Sequence, residues 1–181
     1  MFRWKKDQDL REQAEQYASH YDFREIFTED EAGLRLLAVL LTGDRESAEK
    51  CLVAGLEEGS AGNPAFHNWA HSWSKRAIIK NAIQAVSPSP HQANGNDQYA
   101  FNDSPDTLAG AVSILNPFER FVFVMSLVEG YSVQECASLL NVSSQEVTIA
   151  KSRAVEHVAD LLPAEESVQP PVKVVLREKT A

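Results

Sequence analysis

Apolar residues recur at three- and four-residue spacing along most of the chain, and interruptions of that rhythm divide it into helices. The sharpest interruption lies between Gly130 and Leu162, in the stretch SVQECASLLNVSSQEV. Cys136, Leu139 and Leu140 share one face of a short helix, and Val147, Ala150 and Ala154 share a face of the next. Between them stands Asn141, the non-glycine residue that best tolerates a left-handed backbone. Ser132 with Glu135, and Ser143 with Glu146, are Ser-x-x-Glu capping boxes. Tyr131 with Cys136, and Val142 with Val147, stand at hydrophobic-staple spacing, and Ala137 supplies the small side chain that a close helix crossing needs. The pattern predicts a helix-turn-helix, whose second helix enters a DNA major groove. The alternative is an ordinary helical hairpin in a core.

The remaining pattern extends this to an all-α chain. Residues 1–20 are polar, with a loose helix through Leu10, Ala14 and Tyr17. A helix from Thr28, boxed by Glu31, carries Leu34, Leu37, Ala38 and Leu41 and stops at Thr42 and Gly43. Asp44 caps a second helix with Ala48, Cys51, Leu52 and Leu56 inward, which ends at Gly59 to Gly62. Asn63 and Pro64 start a third, placing Phe66, Trp69, Ala70, Trp73 and Ala77 on one side. Beyond the break at residues 87–106, Leu108, Ala111, Val112 and Leu115 make a short helix. Asn116, Pro117 and Glu119 open another, with Phe121, Val122, Met125 and Val128 at helical spacing and Gly130 closing it.

Residues 87–106, rich in Pro, Asn, Ser, Gly and Asp, read as a flexible linker, because a structureless loop of about 20 residues inside one compact domain is unusual. The expected organisation is therefore two small helical domains, 20–86 and 107–162, with the second a four-helix bundle containing the helix-turn-helix. A tail, 163–181, follows.

Composition changes this picture in one respect. The chain carries 17 Lys and Arg against 26 Asp and Glu, a formal net charge of -9. That is the wrong sign for non-specific nucleic-acid binding, which rests on neutralising phosphates. From Thr107 to Leu162 there are three cations (Arg120, Lys151, Arg153) and six acids (Glu119, Glu129, Glu135, Glu146, Glu156, Asp160), a net of -3. Any DNA contact must be local or assisted by a tether. Cys51 and Cys136 lie in apolar helical patterns without a Cys-x-x-Cys, as expected of buried thiols in a reducing cytoplasm. The residues MFRWKKDQDLREQ have no apolar run of a signal peptide, and no stretch suits a membrane span.

The candidate groove-facing residues are Ser144, Gln145, Thr148 and Ser152, with Lys151, Arg153 and His157 as the available cations; the alternative for the first four is a plain exposed helix face. Lys75, Arg76 and Lys80 form the compact basic cluster of the chain, with Trp73 beside it, and the alternative there is a solvated face. His67 and His71 have a metal-compatible spacing, but Asn68 stands where a zincin needs Glu, and no third ligand is placed. No metal or other cofactor is expected. No phosphate loop, nucleophile elbow or carboxylate pair suggests an enzyme.

Leu115, Pro117, Glu119, Arg120, Val122 to Val124, Glu129-Gly130-Tyr131-Ser132, Glu135, Ala137, Leu140 and Arg153-Ala154 resemble the promoter-reading domain of the extracytoplasmic-function group of bacterial RNA polymerase sigma factors. Leu41-Thr42-Gly43-Asp44, Ala48-Glu49, Phe66 and Trp69 are similar to its polymerase-binding and promoter-melting domain. The resemblance spans about residues 20 to 162. It implies RNA polymerase core and promoter DNA as partners, and a promoter-melting role for the cluster at Trp73, Lys75, Arg76 and Lys80. The chain departs from the family at Lys50 to Ala54, where the acid and glutamine of the polymerase-binding face are replaced. Near the start of the recognition helix, Thr148 and Ala150 stand at the family's basic positions.

Two functions of different class follow. One is a sigma-factor-like regulator of transcription initiation that binds promoter DNA and polymerase. The other is a degenerate sigma mimic that acts through protein contacts, for example by sequestering an anti-sigma factor, without touching DNA. A dimeric helix-turn-helix repressor is a third and weaker reading.

Overall fold

The computed structural model describes residues 17–61, 65–91 and 107–162. They form eight α-helices and no named strand: α1 (His20–Glu29), α2 (Glu31–Thr42), α3 (Arg45–Ser60), α4 (Ala70–Val86), α5 (Leu108–Ile114), α6 (Pro117–Phe123), α7 (Val133–Leu140) and α8 (Ser144–Leu161). The all-α class is as the sequence predicts. The expected helix at Leu10 and Ala14, the Asn63-Pro64 start, the 92–106 part of the linker and the tail lie outside the described residues. No described helix is long and apolar enough to cross a membrane.

The first departure from the sequence reading is α1. Its N-cap is Ser19, whose backbone N–H and Oγ both donate to Asp22 Oδ2, at 2.6 and 2.7 Å. Thr28 is not a cap at all. It lies in the last turn of α1 and donates its hydroxyl to the Arg24 carbonyl at 2.8 Å. The chain then turns at Asp30, which starts α2 without a side-chain cap. The Ser19 box uses Asp at a position where Glu or Gln is usual, and the apolar stripe of HYDFREIFTE is thin. Both features hid α1, although its Phe23 is fully buried.

The second departure is the start of α4. A short 3-10 turn, His67–Trp69, precedes it, and Phe66 forms an isolated bridge with Tyr17. The buried stripe of α4 is Ala70, Ser74, Ala77, Ile78, Ile79 and Ala82. Phe66 and Trp69 remain 41% and 65% exposed, because the helical rhythm that would have turned them inward begins only after them. Trp73 is half-buried, edge-on to Phe23 with ring centroids 5.1 Å apart.

The third lies after α6, where the chain runs into a π-helical turn, Val124–Val128. The added residue per turn shifts the register, so Met125 is buried while Val128, expected on the same stripe, is half exposed. Gly130 follows at φ 75°, as its terminating role requires.

Helix α2 is the wall between the two groups of helices. It packs on α3 and α4 and also on α5, α6 and the π turn. Leu34, Leu37, Ala38, Leu40 and Leu41 belong to one buried cluster that continues through Ile78, Val112, Phe121, Met125, Cys136, Val147 and Val158. At about 1.5–3 kcal/mol per fully buried large aliphatic side chain, this shared cluster is a substantial part of the driving force for folding.

The most unusual member of the interface is Arg120, only 2% exposed. From α6 its guanidinium donates to the Leu41 and Thr42 carbonyls, at 3.3 and 3.2 Å, and to the Ser113 carbonyl at 3.5 Å. Leu41 and Thr42 end α2, where carbonyls lack intrahelical donors and the helix dipole favours a cation. Gly43 makes this approach possible: it turns the chain at φ 79°, and a Cβ there would lie 2.9 Å from Arg120 Nη1.

Candidate nucleic-acid interface

The predicted corner is present. Ser132 and Ser143 each receive the backbone N–H of Glu135 and Glu146, at 3.3 and 3.2 Å. In return the Ser132 and Ser143 N–H groups donate to those glutamates, each at 2.8 Å. The same bonds hold both carboxyls below their ordinary range: the Ser132 hydroxyl acts most on Glu135, and the Ser143 N–H most on Glu146. Asn141 ends α7 in the left-handed region, φ 54° and ψ 48°. The chain therefore reverses here and does not continue as one long helix. Val147, Ala150, Ala154 and Val158 turn inward, so Ala150 is a core residue and has no part in a DNA face.

The opposite face of α8 is open. Ser144, Gln145, Thr148 and Ser152 are all exposed. Thr148 Oγ1 donates to the Ser144 carbonyl at 2.8 Å, and Ser152 Oγ to the Thr148 carbonyl at 3.2 Å. With their protons used in this way, both hydroxyls present acceptor lone pairs, suited to the amino groups of cytosine or adenine. Gln145, in the first turn, has the amide geometry for bidentate contact with adenine.

The cations are set apart from this face. Lys151 is half-buried at one margin, while Arg153 is exposed and lines a cleft of about 620 Å³ with Glu119, Glu146, His91 and His157. His157, an available cation from the sequence, instead meets the buried Glu119 through Nδ1 at 3.1 Å and ties α8 to α6.

The other candidate cluster is on α4. Arg76 and Lys80 are exposed, and Lys75 is half-buried. Lys75 Nζ reaches Glu129 Oε2 at 3.0 Å, across 54 residues of sequence. Trp69, Trp73, Lys75 and Arg76 form one wall of an open cleft of about 530 Å³, with Glu129, Tyr131 and Glu135 on the other. Sequence reasoning did not connect these walls, since neither Glu129 nor Glu135 carries a signal of its partner.

His67 and His71 do not converge on a metal. Their Nε2 atoms meet two different carboxylates, Asp22 at 3.1 Å and Asp30 at 2.8 Å, and so fasten the start of α4 to both ends of α1. Among the described residues no group of three His, Cys, Asp or Glu side chains is placed to hold a metal ion. On α3, Cys51 is buried, Val53 is exposed, and Lys50 pairs with Glu46 at 2.6 Å.

Comparison with curated proteins finds no match for the chain. A protein-family model does match: sigma-70, region 4, over residues 106–158. That span holds α5 to α7 and most of α8, including the left-handed corner at Asn141 and the exposed first turns of the helix after it. The second group of helices thus matches sigma-70 region 4, a helix-turn-helix domain, and the chain is sigma-70-like over those residues.

Proposed function

We propose that this protein is a sigma-factor-like regulator of transcription initiation, with residues 20–86 and 107–162 as its two functional domains and 87–106 as the linker. The second domain reads promoter DNA through Ser144, Gln145, Thr148 and Ser152, with Lys151 and Arg153 on flanking phosphates. The first domain engages RNA polymerase core, and Trp73, Lys75, Arg76 and Lys80 meet the opened strand. The observation that carries this reading is the outward face of α8, presented by a doubly capped corner within the region 4 match.

Charge sets the terms. Arg120 is buried, which leaves Lys151 and Arg153 as the cations of the second domain available to phosphates. Two contacts support weak duplex binding alone, so tethering on polymerase supplies the remaining affinity. The test is transcription from cognate promoters with core polymerase, together with a duplex-binding salt series. Gln145→Ala weakens the cognate duplex by about 1–3 kcal/mol and relaxes one base position. Lys151→Ala lowers the slope of log affinity against log salt by about 0.9.

The acidity of the second domain and the replaced face at Lys50 to Ala54 favour one second reading, a sigma mimic that sequesters an anti-sigma factor. Absence of duplex binding even at low salt, with no polymerase co-purifying, selects it.

A further inference from the structure

Two clefts run together along a side of α8 away from Ser144, Gln145, Thr148 and Ser152. The first, beside Arg153, has a volume of about 620 Å³. The second, of about 300 Å³, continues it past Asn116, Glu119 and His157, which line both. The joined groove follows α8 from Glu146 to Leu161, about 22 Å at 1.5 Å per residue. Its floor is apolar. Leu115 and Phe118 are buried beneath it, while Ile114 and Ile149 remain 48% and 44% exposed at its two ends. Its walls are charged in a fixed order: Asp160 near the end of α8, the buried Glu119 midway, then Arg153 and Glu146.

The chain itself supplies a segment of matching chemistry. Leu161 lines the groove where α8 ends, and beyond Leu162 the sequence reads PAEESVQPPVKVVLREKTA. In an extended VKVVLR, Val172, Val174 and Leu176 fall on one side by simple alternation. Lys173, Arg177 and Glu178 then come in the order the walls require: a cation for Asp160 and Glu119, a cation for Glu146 and an acid for Arg153. Six extended residues span about 20 Å at 3.3 Å each, close to the length of the groove. Residues 163–171 reach up to about 30 Å, enough for the chain to turn back from Leu162.

We propose that residues 172–178 dock in this groove as an extended segment antiparallel to α8, with Val172, Val174 and Leu176 on its apolar floor. Docking fastens α8 to α5 and α6 and sets Lys173 and Arg177 against carboxylates of a domain whose net charge is -3. The outward face of α8 stays open, and both groups of helices stay in place.

Paramagnetic broadening in NMR spectra of the full chain tests this. Cys51 and Cys136 are buried, so a nitroxide on Thr180→Cys labels the tail selectively. The expected result is loss of the Ile149 methyl signals, with those of Val53 on α3 unchanged, and recovery of Ile149 when Val174→Ser and Leu176→Ser are added. Isotope-labelled native chain mixed with unlabelled nitroxide-bearing chain keeps its Ile149 signals. Trypsin supplies an independent reading through cleavage after Lys173 and Arg177. A tether concentration on the order of 1 mM against a groove Kd of about 100 μM slows this cleavage about tenfold. Ile114→Ser with Ile149→Ser, at exposed positions, abolishes that protection and leaves the cleaved sequence unchanged.

An intact Ile149 signal in the labelled chain, or equal cleavage of the native and Ile114/Ile149 chains, overturns the proposal. Loss of Ile149 in the mixed sample also overturns it, because the occupant is then the tail of a second copy.

Discussion

Arg120→Met tests whether the two groups of helices are one cooperative structure. The substitution keeps most of the aliphatic stem and removes the guanidinium from the Leu41, Thr42 and Ser113 carbonyls. Loss of a cation from a partly buried helix C-terminus costs about 1–2 kcal/mol. Each carbonyl left without its donor adds about 1 kcal/mol or more, with the longest contact, 3.5 Å to Ser113, contributing least. Against this, the guanidinium's own desolvation is relieved, and replacing whole buried ionic groups with apolar ones is neutral or better in some proteins. That result requires the partners to be replaced as well, whereas here the carbonyls stay. The balance is a loss of about 2–4 kcal/mol. Arg120→Lys, which keeps the charge but lacks the planar fork, falls between. The assay is urea unfolding followed in parallel by tryptophan fluorescence and far-UV circular dichroism. All three tryptophans lie in the first 73 residues, so fluorescence reports the first group and dichroism the whole chain. In the native protein the two transitions coincide; in Arg120→Met they separate and the dichroism midpoint falls. Coincident transitions at an unchanged midpoint would refute the assignment of Arg120 as the joint.

Asn141→Ala places a residue with no polar compensation at φ 54° and lowers stability by about 1 kcal/mol, whereas Asn141→Gly is near neutral; thermal melts of the two variants must fall in that order. Phe23→Ala, at a fully buried site of α1, costs about 3–5 kcal/mol, and a loss under 1 kcal/mol in urea unfolding would mean that α1 is not part of the folded unit. The Glu135 and Glu146 carboxyls, depressed in the folded state below their ordinary value of 4.5, stabilise the corner fully above that value. This contribution disappears as pH falls through their folded-state values. The Ser132 and Ser143 amide protons, which the carboxylates accept, therefore titrate in NMR spectra with midpoints below 4.5, and midpoints at or above it contradict the boxes.

The helix-turn-helix was legible because every signal for it is local. A capping box spans four residues, a left-handed corner is one residue, and the inward stripe of Val147, Ala150 and Ala154 repeats within one helix. Such features carry their energetics in their own neighbourhood, so pattern reading finds them and also places Gln145 and Thr148 outward. Local reading failed where the signal was weak or shared. The box of α1 has Asp22 where Glu or Gln is usual, Thr28 carries a cap's signature inside a helix, and the π turn moves Val128 off its expected stripe. The relation between the halves was beyond local reading altogether. Arg120 reads as a helix cation, yet it serves as the C-terminal partner of a helix 78 residues earlier. Glu129 reads as a turn residue before Gly130, yet it neutralises Lys75. Sequence by itself determined the elements, their caps and the outward face of α8, since these depend on neighbours three and four residues apart. Tertiary structure decided which charges are buried, which are paired and which remain for a partner, because those depend on carbonyls and carboxylates that only the folded chain brings within 3.5 Å.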